Sequence, residues 1–500
     1  MTHVRIVGGG LAGCEAAWQI ARRGVPVTLY EMRPSRPTEV HQTASLAELV
    51  CSNSFRADKL DNAVGLLKEE MRRLDSLVMR VADAVRVPAG AALAVDRERF
   101  AIEITREIER HPLITVRREE VERVPASSGD GSPVIIATGP LTSESLSNDI
   151  RAFVGQSYLY FFDAISPIVS AESIDMGRVF RASRWGRSLG PKEHADGSGI
   201  EAPPQTVEEL SVAPGGSSRP AHGRTVPHSS RSGRWKMSCG DDGSEGDYLN
   251  CPMSAEEYGA FYDALTHAES ATVHDFDREQ FFEGCLPIEV LAHRGLDTLR
   301  FGPMKPVGLP DPRTGRLPYA VVQLRQDNLA GDHYSLVGFQ TQLKWSEQTR
   351  VLRLVPGLER AEFVRLGMVH RNTYINGPTV LAKTWQTRAR GDLLFAGQIS
   401  GVEGYVESAA SGLAAGISAA ALAQGRQPTA PPRTTAIGAL AYYVSHATSA
   451  GYQPSNITFG IMEPLERPPR NKLARKLALS ERALADLAAW VGQQQDVCRR

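Results

Sequence analysis

The sequence predicts an α/β protein. One parallel-sheet unit draws on both ends of the chain, and a smaller α+β domain is inserted between them. Three observations point there. The chain opens with a strand, a glycine-rich turn, a helix and a second strand. Near its end it repeats a strand, a glycine turn and a helix of small residues. Between the two lie apolar strands and helices broken by one long polar stretch. A chain of 500 residues with 42% apolar and 23% charged content has ordinary globular composition and room for several domains. Lys plus Arg number 56 against 57 Asp plus Glu, a net charge of −1, which excludes a bulk polycation held to nucleic acid by charge alone. Six scattered cysteines exclude a disulfide scaffold. No apolar run approaches the roughly 18 residues of a membrane span. The turn at Gly8 interrupts any signal peptide, so a cytoplasmic protein with no membrane partner is expected.

The opening unit is justified residue by residue. His3 to Val7 reads as a short strand, Leu11 to Arg23 as a helix stopped by Gly24, and Val25 to Tyr30 as a second strand. Gly8-Gly9-Gly10-Leu11-Ala12-Gly13 fits G-x-G-x-x-G. Gly8 permits the tight turn, Gly10 lets backbone approach a pyrophosphate, and Gly13 lets helix and strand pack closely. The helix N-terminus faces the phosphates, and Glu31, at the end of the second strand, suits a ribose diol. Such a Rossmann-type unit binds FAD, NAD or S-adenosylmethionine.

Two later segments narrow the choice. Leu393 to Gly397 reads as a strand, Gly401 and Gly404 as a flexible turn, and Tyr405 to Ala421 as a helix with Gly412 and Gly416. Pro133 to Gly139, ending Ala-Thr-Gly, reads as a further strand of the same sheet. The three pieces in this order favour FAD. Gln398 stands where many flavoproteins of this kind carry an Asp; its amide still suits a ribityl hydroxyl.

The expected division is 1–155 and 355–450 for the two parts of the FAD-binding domain, 156–354 for the inserted domain, and 451–500 for a basic helical tail. Tyr158 to Val169 and Ala320 to Leu324 read as strands of the inserted domain, and Asp277 to Leu291 as a helix, a Gly-Cys interruption and an apolar stretch. Residues 186–247 contain 11 Gly, 10 Ser and 6 Pro and read as a disordered insertion. The formal G-x-S-x-G at Gly186 to Gly190 lies there with no strand leading into it, so chance accounts for it. Arg467, Arg470, Lys472, Arg475 and Lys476 read as a solvated helix face, with contact to an RNA backbone as the functional alternative.

No C-x-x-C and no H-E-x-x-H occurs, so a local zinc site or redox dithiol is not expected. Cys14 reads as packed, Cys239 and Cys498 as incidental, and Cys285 as core. Cys51, in Glu48-Leu49-Val50-Cys51-Ser52-Asn53-Ser54-Phe55-Arg56, follows the second strand on the flavin side. Cys251, in Tyr248-Leu249-Asn250-Cys251-Pro252-Met253, falls where the chain regains apolar character. Spacing alone makes each a packed thiol more often than a nucleophile.

Val50 to Arg56, Asn250 to Met253, Phe282 to Glu289, Thr298 to Gly308, Asp311 to Gly315, Val337 to Thr341, His370 to Asn376 and Phe395 to Ser411 together resemble one family. It is the folate- and FAD-dependent tRNA (uracil-5-)-methyltransferases, the TrmFO family, and the resemblance covers nearly the whole chain outside 186–247. It implies conversion of uridine 54 in the tRNA T-loop to 5-methyluridine. The carbon comes from 5,10-methylenetetrahydrofolate, and the electrons from FAD reduced by NADH or NADPH. It implies roles for two cysteines, matching Cys51 and Cys251. Cys251 is read as the nucleophile on uracil carbon 6 and Cys51 as the flavin-side partner in proton removal or adduct chemistry. The implied cofactor-binding residues are Gly8, Gly9, Gly10, Leu11, Ala12, Gly13, Glu31, Gly397, Gln398 and Gly404. Three other readings compete: the sister family acting on the tRNA wobble uridine (or a member acting on ribosomal RNA), a generic NAD(P)H oxidoreductase, and a non-catalytic RNA-binding flavoprotein.

Overall fold

The computed structural model describes residues 2–38, 40–129, 131–155, 159–186, 246–271 and 286–499. The G-x-S-x-G segment past Gly186, Cys239, Cys285 and the helix expected from Asp277 lie outside the described residues, as does nearly all of 186–247.

The expected parallel sheet is present, and both chain ends build it. Its five strands run in the order Leu393–Phe395, Val134–Ile136, Val4–Val7, Val27–Tyr30 and Ile114–Arg117, all parallel. Val4, Ile6, Val27, Leu29, Ile135 and Leu394 are buried, as strands covered on both faces require. The helix Leu11–Ala21 connects the first two strands and packs along the helix Tyr405–Ala423. A Cβ on Gly412 would stand 2.1 Å from the Ala12 carbonyl oxygen, so small residues set how near these two helices lie. The sequence expectation about membrane-length segments needs correcting here. Tyr405–Ala423 is 19 residues long and apolar enough to cross a membrane, yet 83% of its most apolar window is buried inside the protein. Its Ala, Gly and Ser content, diluted by Glu407, masks the apolar run in the sequence.

The second sheet has six antiparallel strands in the order Phe180–Ala182, Tyr248–Met253, Ala320–Gln326, His333–Leu336, Ile168–Ser170 and Phe363–Arg365. The stretch expected as one strand over Tyr158 to Val169 is two, Leu159–Ala164 and Ile168–Ser170, because Pro167 breaks the ladder between them. The first of these pairs antiparallel with Val369–Tyr374, away from the six-stranded sheet. One face of that sheet carries Leu249, Cys251, Met253, Val322, Leu324 and Leu336 into a core shared with the helices Ala255–Thr266, Ile288–His293 and Trp345–Leu352. The chain contributes Phe363–Arg365 to this sheet before it returns to the parallel one. The basic segment ends in a long helix, Lys472–Arg499, docked through buried Leu479, Ala483, Leu487 and Trp490. It leaves Arg467, Arg470, Lys472 and Arg475 exposed.

Candidate active site

The glycine turn forms as its steric demands require. Gly8 has φ +108, and a Cβ there would meet the Ala137 carbonyl oxygen at 2.4 Å. A Cβ on Gly13 would stand 1.8 Å from the Gly8 carbonyl oxygen, so helix and turn touch only through glycine. A Cβ on Gly10 meets nothing within 4 Å, because its backbone faces open space. That space is an open cleft at the carboxyl ends of the parallel strands. Gly8, Gly9, Gly10, Leu11, Ala12, Glu31, Gly397 and Gln398 all line it. Gly13 and Gly404 instead act by packing; Gly404 has φ +103 and lies against Glu407 and Arg56.

Glu31 is buried at the cavity wall. Its Oε2 accepts the Gly9 N–H at 3.0 Å, and its Oε1 accepts the backbone N–H and Nε of Arg33 at 3.0 and 2.8 Å. Burial alone would raise its pKa, but the Arg33 guanidinium and the two backbone N–H groups hold it below the usual carboxylate value. A charged acceptor with spare capacity on Oε2 therefore sits where a ribose diol belongs. The Gln398 amide nitrogen donates to Glu403 at 2.7 Å. Three glycines with the required geometry, an ionised acceptor at the strand end and an open cleft lined by both fit a dinucleotide flavin.

Cys51 lies beside this cavity, between its neighbour Val50 and Tyr405, both of which line it. The Tyr405 hydroxyl accepts the backbone N–H groups of Cys51 and Ser52 at 2.7 and 3.2 Å. Arg97 donates to the Leu49 carbonyl and, through Nε and Nη2, to both carboxylate oxygens of Asp327 at 3.2 and 3.1 Å. Arg325 donates to Asn53 Oδ1 at 2.7 Å and Ser52 Oγ at 2.8 Å. Arg97, Arg325 and Arg365 all interact electrostatically with Cys51. The Cys51 thiol is half-buried.

Cys251 is placed differently. It is fully buried, opposite Val322 in the antiparallel ladder, and burial pushes its pKa up. Side chains alternate along a strand. Tyr248 and Asn250 therefore share a face with Arg325 and Gln323, while Cys251 points into the helix-covered core on the other face. The two cysteines expected to act together thus lie on opposite sides of the sheet.

Sequence reasoning missed Arg33, His41 and Glu48 in the cavity wall and the three arginines around Cys51. Only Arg325 left a signal, as an arginine inside the apolar strand Ala-Val-Val-Gln-Leu-Arg-Gln.

A family model described as glucose inhibited division protein A matches residues 3–196 and 229–427. The relative from Desulforudis audaxviator named methylenetetrahydrofolate--tRNA-(uracil-5-)-methyltransferase TrmFO is 52% identical over 98% of each chain. The one of that name from Symbiobacterium thermophilum is 53% identical over 98% of this chain and 97% of the relative. The chain belongs to the TrmFO family. Among solved structures, Aquifex aeolicus GidA superposes with a TM-score of 0.61 at 16% identity, over 99% of this chain and 76% of that one. That likeness speaks for the fold alone. The family model skips 197–228, inside the stretch whose composition departs from the rest of this TrmFO-family chain.

Proposed function

We propose that this enzyme methylates carbon 5 of uridine 54 in the tRNA T-loop, with 5,10-methylenetetrahydrofolate as carbon donor, and that Cys51 is the attacking thiol. Relatives at 50–53% identity over nearly the full chain carry the transferase reading. The observation that carries the role of Cys51 is its position between the flavin cavity and the arginine-bearing face of the second sheet. The enzyme works in the cytoplasm.

Bound FAD, reduced by NADH or NADPH, supplies the two electrons that take the transferred carbon from the methylene to the methyl level. The chain's own residues do the rest. Gly8 to Gly13 leave backbone N–H groups open to the pyrophosphate, and Glu31 takes the ribose diol. Uracil carbon 5 is a weak nucleophile. When the Cys51 thiolate adds to carbon 6, a C–S bond forms and the ring π pair moves onto the carbon 4 carbonyl oxygen, making carbon 5 nucleophilic. Carbon 5 bonds to the methylene carbon and the carbon 5 proton passes to solvent as the methylene's bond to the folate nitrogen breaks, which leaves an exocyclic methylene; addition of a hydride equivalent to it, with expulsion of the thiolate from carbon 6, gives 5-methyluridine and frees Cys51. The T-loop base must leave its stack to reach the thiol. The flavin-binding part comprises residues 1–155 and the chain beyond Phe363–Arg365, with the six-stranded sheet as the substrate-facing part. The exposed Arg467, Arg470, Lys472 and Arg475 offer the tRNA backbone a basic edge.

This reading reverses the order of cysteine roles taken from the sequence, because Cys251 would have to leave a packed core to meet the base. The test is transfer of label from methylenetetrahydrofolate into 5-methyluridine on a T-loop transcript, with labelled S-adenosylmethionine in a parallel reaction. Cys51→Ser should lower turnover by about a thousandfold or more with FAD retained. Cys251→Ala should keep turnover within about fivefold. A folded, flavin-loaded Cys251→Ala protein with no turnover would return the nucleophile's role to Cys251.

A further inference from the structure

We propose that Trp185 is a stacking platform for an unpaired base of the RNA substrate: one face of its indole lies on Gly308 and the other is open to solvent. The proposal rests on the reading of this enzyme as one that acts on the tRNA T-loop.

The geometry is unusual for a tryptophan. Trp185 lies just past the edge strand Phe180–Ala182, with φ +62 and ψ +25. That is the left-handed region, which a bulky residue occupies only under strain, and only where its surroundings hold it there. Here they do. The Trp185 N–H donates to the Gly308 carbonyl at 3.1 Å, and the Gly186 N–H to the Ser183 carbonyl at 2.8 Å. Arg184 donates to the Lys305 carbonyl at 2.9 Å, to the Val307 carbonyl, and to Gln323 Oε1 at 2.9 Å. A Cβ on Gly308 would stand 2.8 and 2.9 Å from Cε2 and Cδ2 of Trp185. Those two carbons form the ring-fusion bond, which lies inside the outline of the indole. It is nearest to Gly308 only because Gly308 sits against the ring face. The residue as a whole is 60% exposed, so burial of the indole does not account for the strain.

A rigid indole with one covered face takes a flat partner. Single-stranded RNA loops are read by aromatic faces that replace the stacking a splayed base has lost. The T-loop base must leave its stack to react, so an RNA held here has such a face to offer. The position suits that partner. Ala182 pairs with Tyr248 and Tyr248 with Arg325, which donates to Ser52 beside Cys51. Two strand spacings and three residues put Trp185 within roughly 20 Å of Arg325. Gln323, which accepts from Arg184, donates in turn to Asn250, the neighbour of Cys251. The platform is therefore tied to the strands that face the reaction, with no part in the thiol chemistry itself. Arg184 and Lys305 flank the indole, as cations flank the aromatic surfaces that bind single strands.

The experiment compares Trp185→Gly and Trp185→Phe with the unaltered full-length, FAD-loaded enzyme on a T-arm transcript. Glycine takes the left-handed backbone without strain and removes the ring; phenylalanine keeps a flat face. Trp185→Gly should raise KM for the RNA about tenfold or more, with kcat within about twofold and KM for methylenetetrahydrofolate and flavin content unchanged. Its melting temperature should stay within about 3 °C of the original. Trp185→Phe should recover most of the loss in KM. In a second readout, a transcript carrying 5-iodouridine in its loop is bound to the unaltered enzyme and irradiated. The crosslink, mapped by mass spectrometry, should fall on the peptide containing Trp185. An unchanged KM for RNA in Trp185→Gly overturns the proposal, as does a crosslink confined to other peptides. Equal losses toward RNA and folate with a lowered melting temperature would make Trp185 a structural prop and overturn it too. If Trp185→Gly fails to fold, the crosslink decides alone. A crosslink at Trp185 with no methyl transfer by the unaltered enzyme would instead remove the T-loop methylation reading and leave the platform intact.

Discussion

A Cβ on Gly13 would stand 1.8 Å from the Gly8 carbonyl oxygen, backbone against backbone, with no flexible side chain to yield. Gly13→Ala must therefore push the helix off the turn or force Gly8 from its φ of +108. We expect a cost of about 3 kcal/mol or more and loss of bound flavin, read by melting and by flavin absorbance after gel filtration. His41, in the cavity wall, carries a different prediction. Burial first, and Arg33 second, push its pKa from the ordinary 6.5 down to about 4. Its neutral form is therefore favoured in the folded state, and the stability this lends is complete above 6.5. It is lost as pH falls from 6.5 to 4, by up to about 3 kcal/mol. Denaturant titrations of His41→Gln should lack that part of the acid destabilisation, whereas an unchanged acid slope would place it elsewhere.

Elements show how little separates a functional position from a packed one. In Tyr248–Met253 the alternation of the strand, not the identity of any residue, turns Asn250 toward the Arg325 face and Cys251 toward the core. The same strand pairs with Phe180–Ala182, and the pair is closed where the long insertion enters and leaves. Asp247 N–H donates to Ser183 Oγ at 2.9 Å, and Ser183 Oγ lies 3.1 Å from Asp247 Oδ2. Gly246 lies so close to Ala182 and Ser183 that a Cβ would clash with their backbone. Replacing residues 188–244 by a short Gly/Ser link should leave the ladder register, flavin content and methyl transfer essentially unchanged. Loss of transfer with flavin retained would assign the insertion a part in RNA binding. Helix Tyr405–Ala423 makes the parallel point for helices, since Gly412 and Gly416 are set by contact with Ala12 and Ala16 across the interface.

On the scale of the molecule, the Cys51 loop ties the six-stranded sheet to Ala92–Val95, a strand of a separate three-stranded antiparallel sheet with Ser54–Ala57 and Arg86–Val87. Asn53 Nδ2 donates to the Val95 carbonyl at 2.9 Å on one side and to the Gln326 carbonyl at 3.0 Å on the other. Arg97 and Asp327 form a buried pair across the same junction. Removing one partner of such a pair leaves the other charge buried and unpaired, so Arg97→Met and Asp327→Asn should each cost about 3 kcal/mol or more. The double variant should cost less than the sum, and a double-mutant cycle measures the coupling. Additive losses would mean the two charges are not coupled across this junction.

The sequence by itself determined the parallel sheet, its assembly from both chain ends, the flavin turn and the family. Those rest on short-range rules: glycines where a Cβ cannot fit, strand and helix periods within some thirty residues, and blocks particular enough to resemble one family. Gly8, Gly13 and Glu31 stand where that reasoning put them. Only the tertiary structure decided which sheet face each cysteine looks toward, and that Arg33 shares Glu31 at the cavity wall. It alone showed that Arg97 and Arg325 converge on Cys51, and that the most apolar long helix is a core helix. The physical reason is reach. An arginine 272 positions from its partner is brought there by strand pairing and core packing, and no local pattern in the chain encodes that meeting.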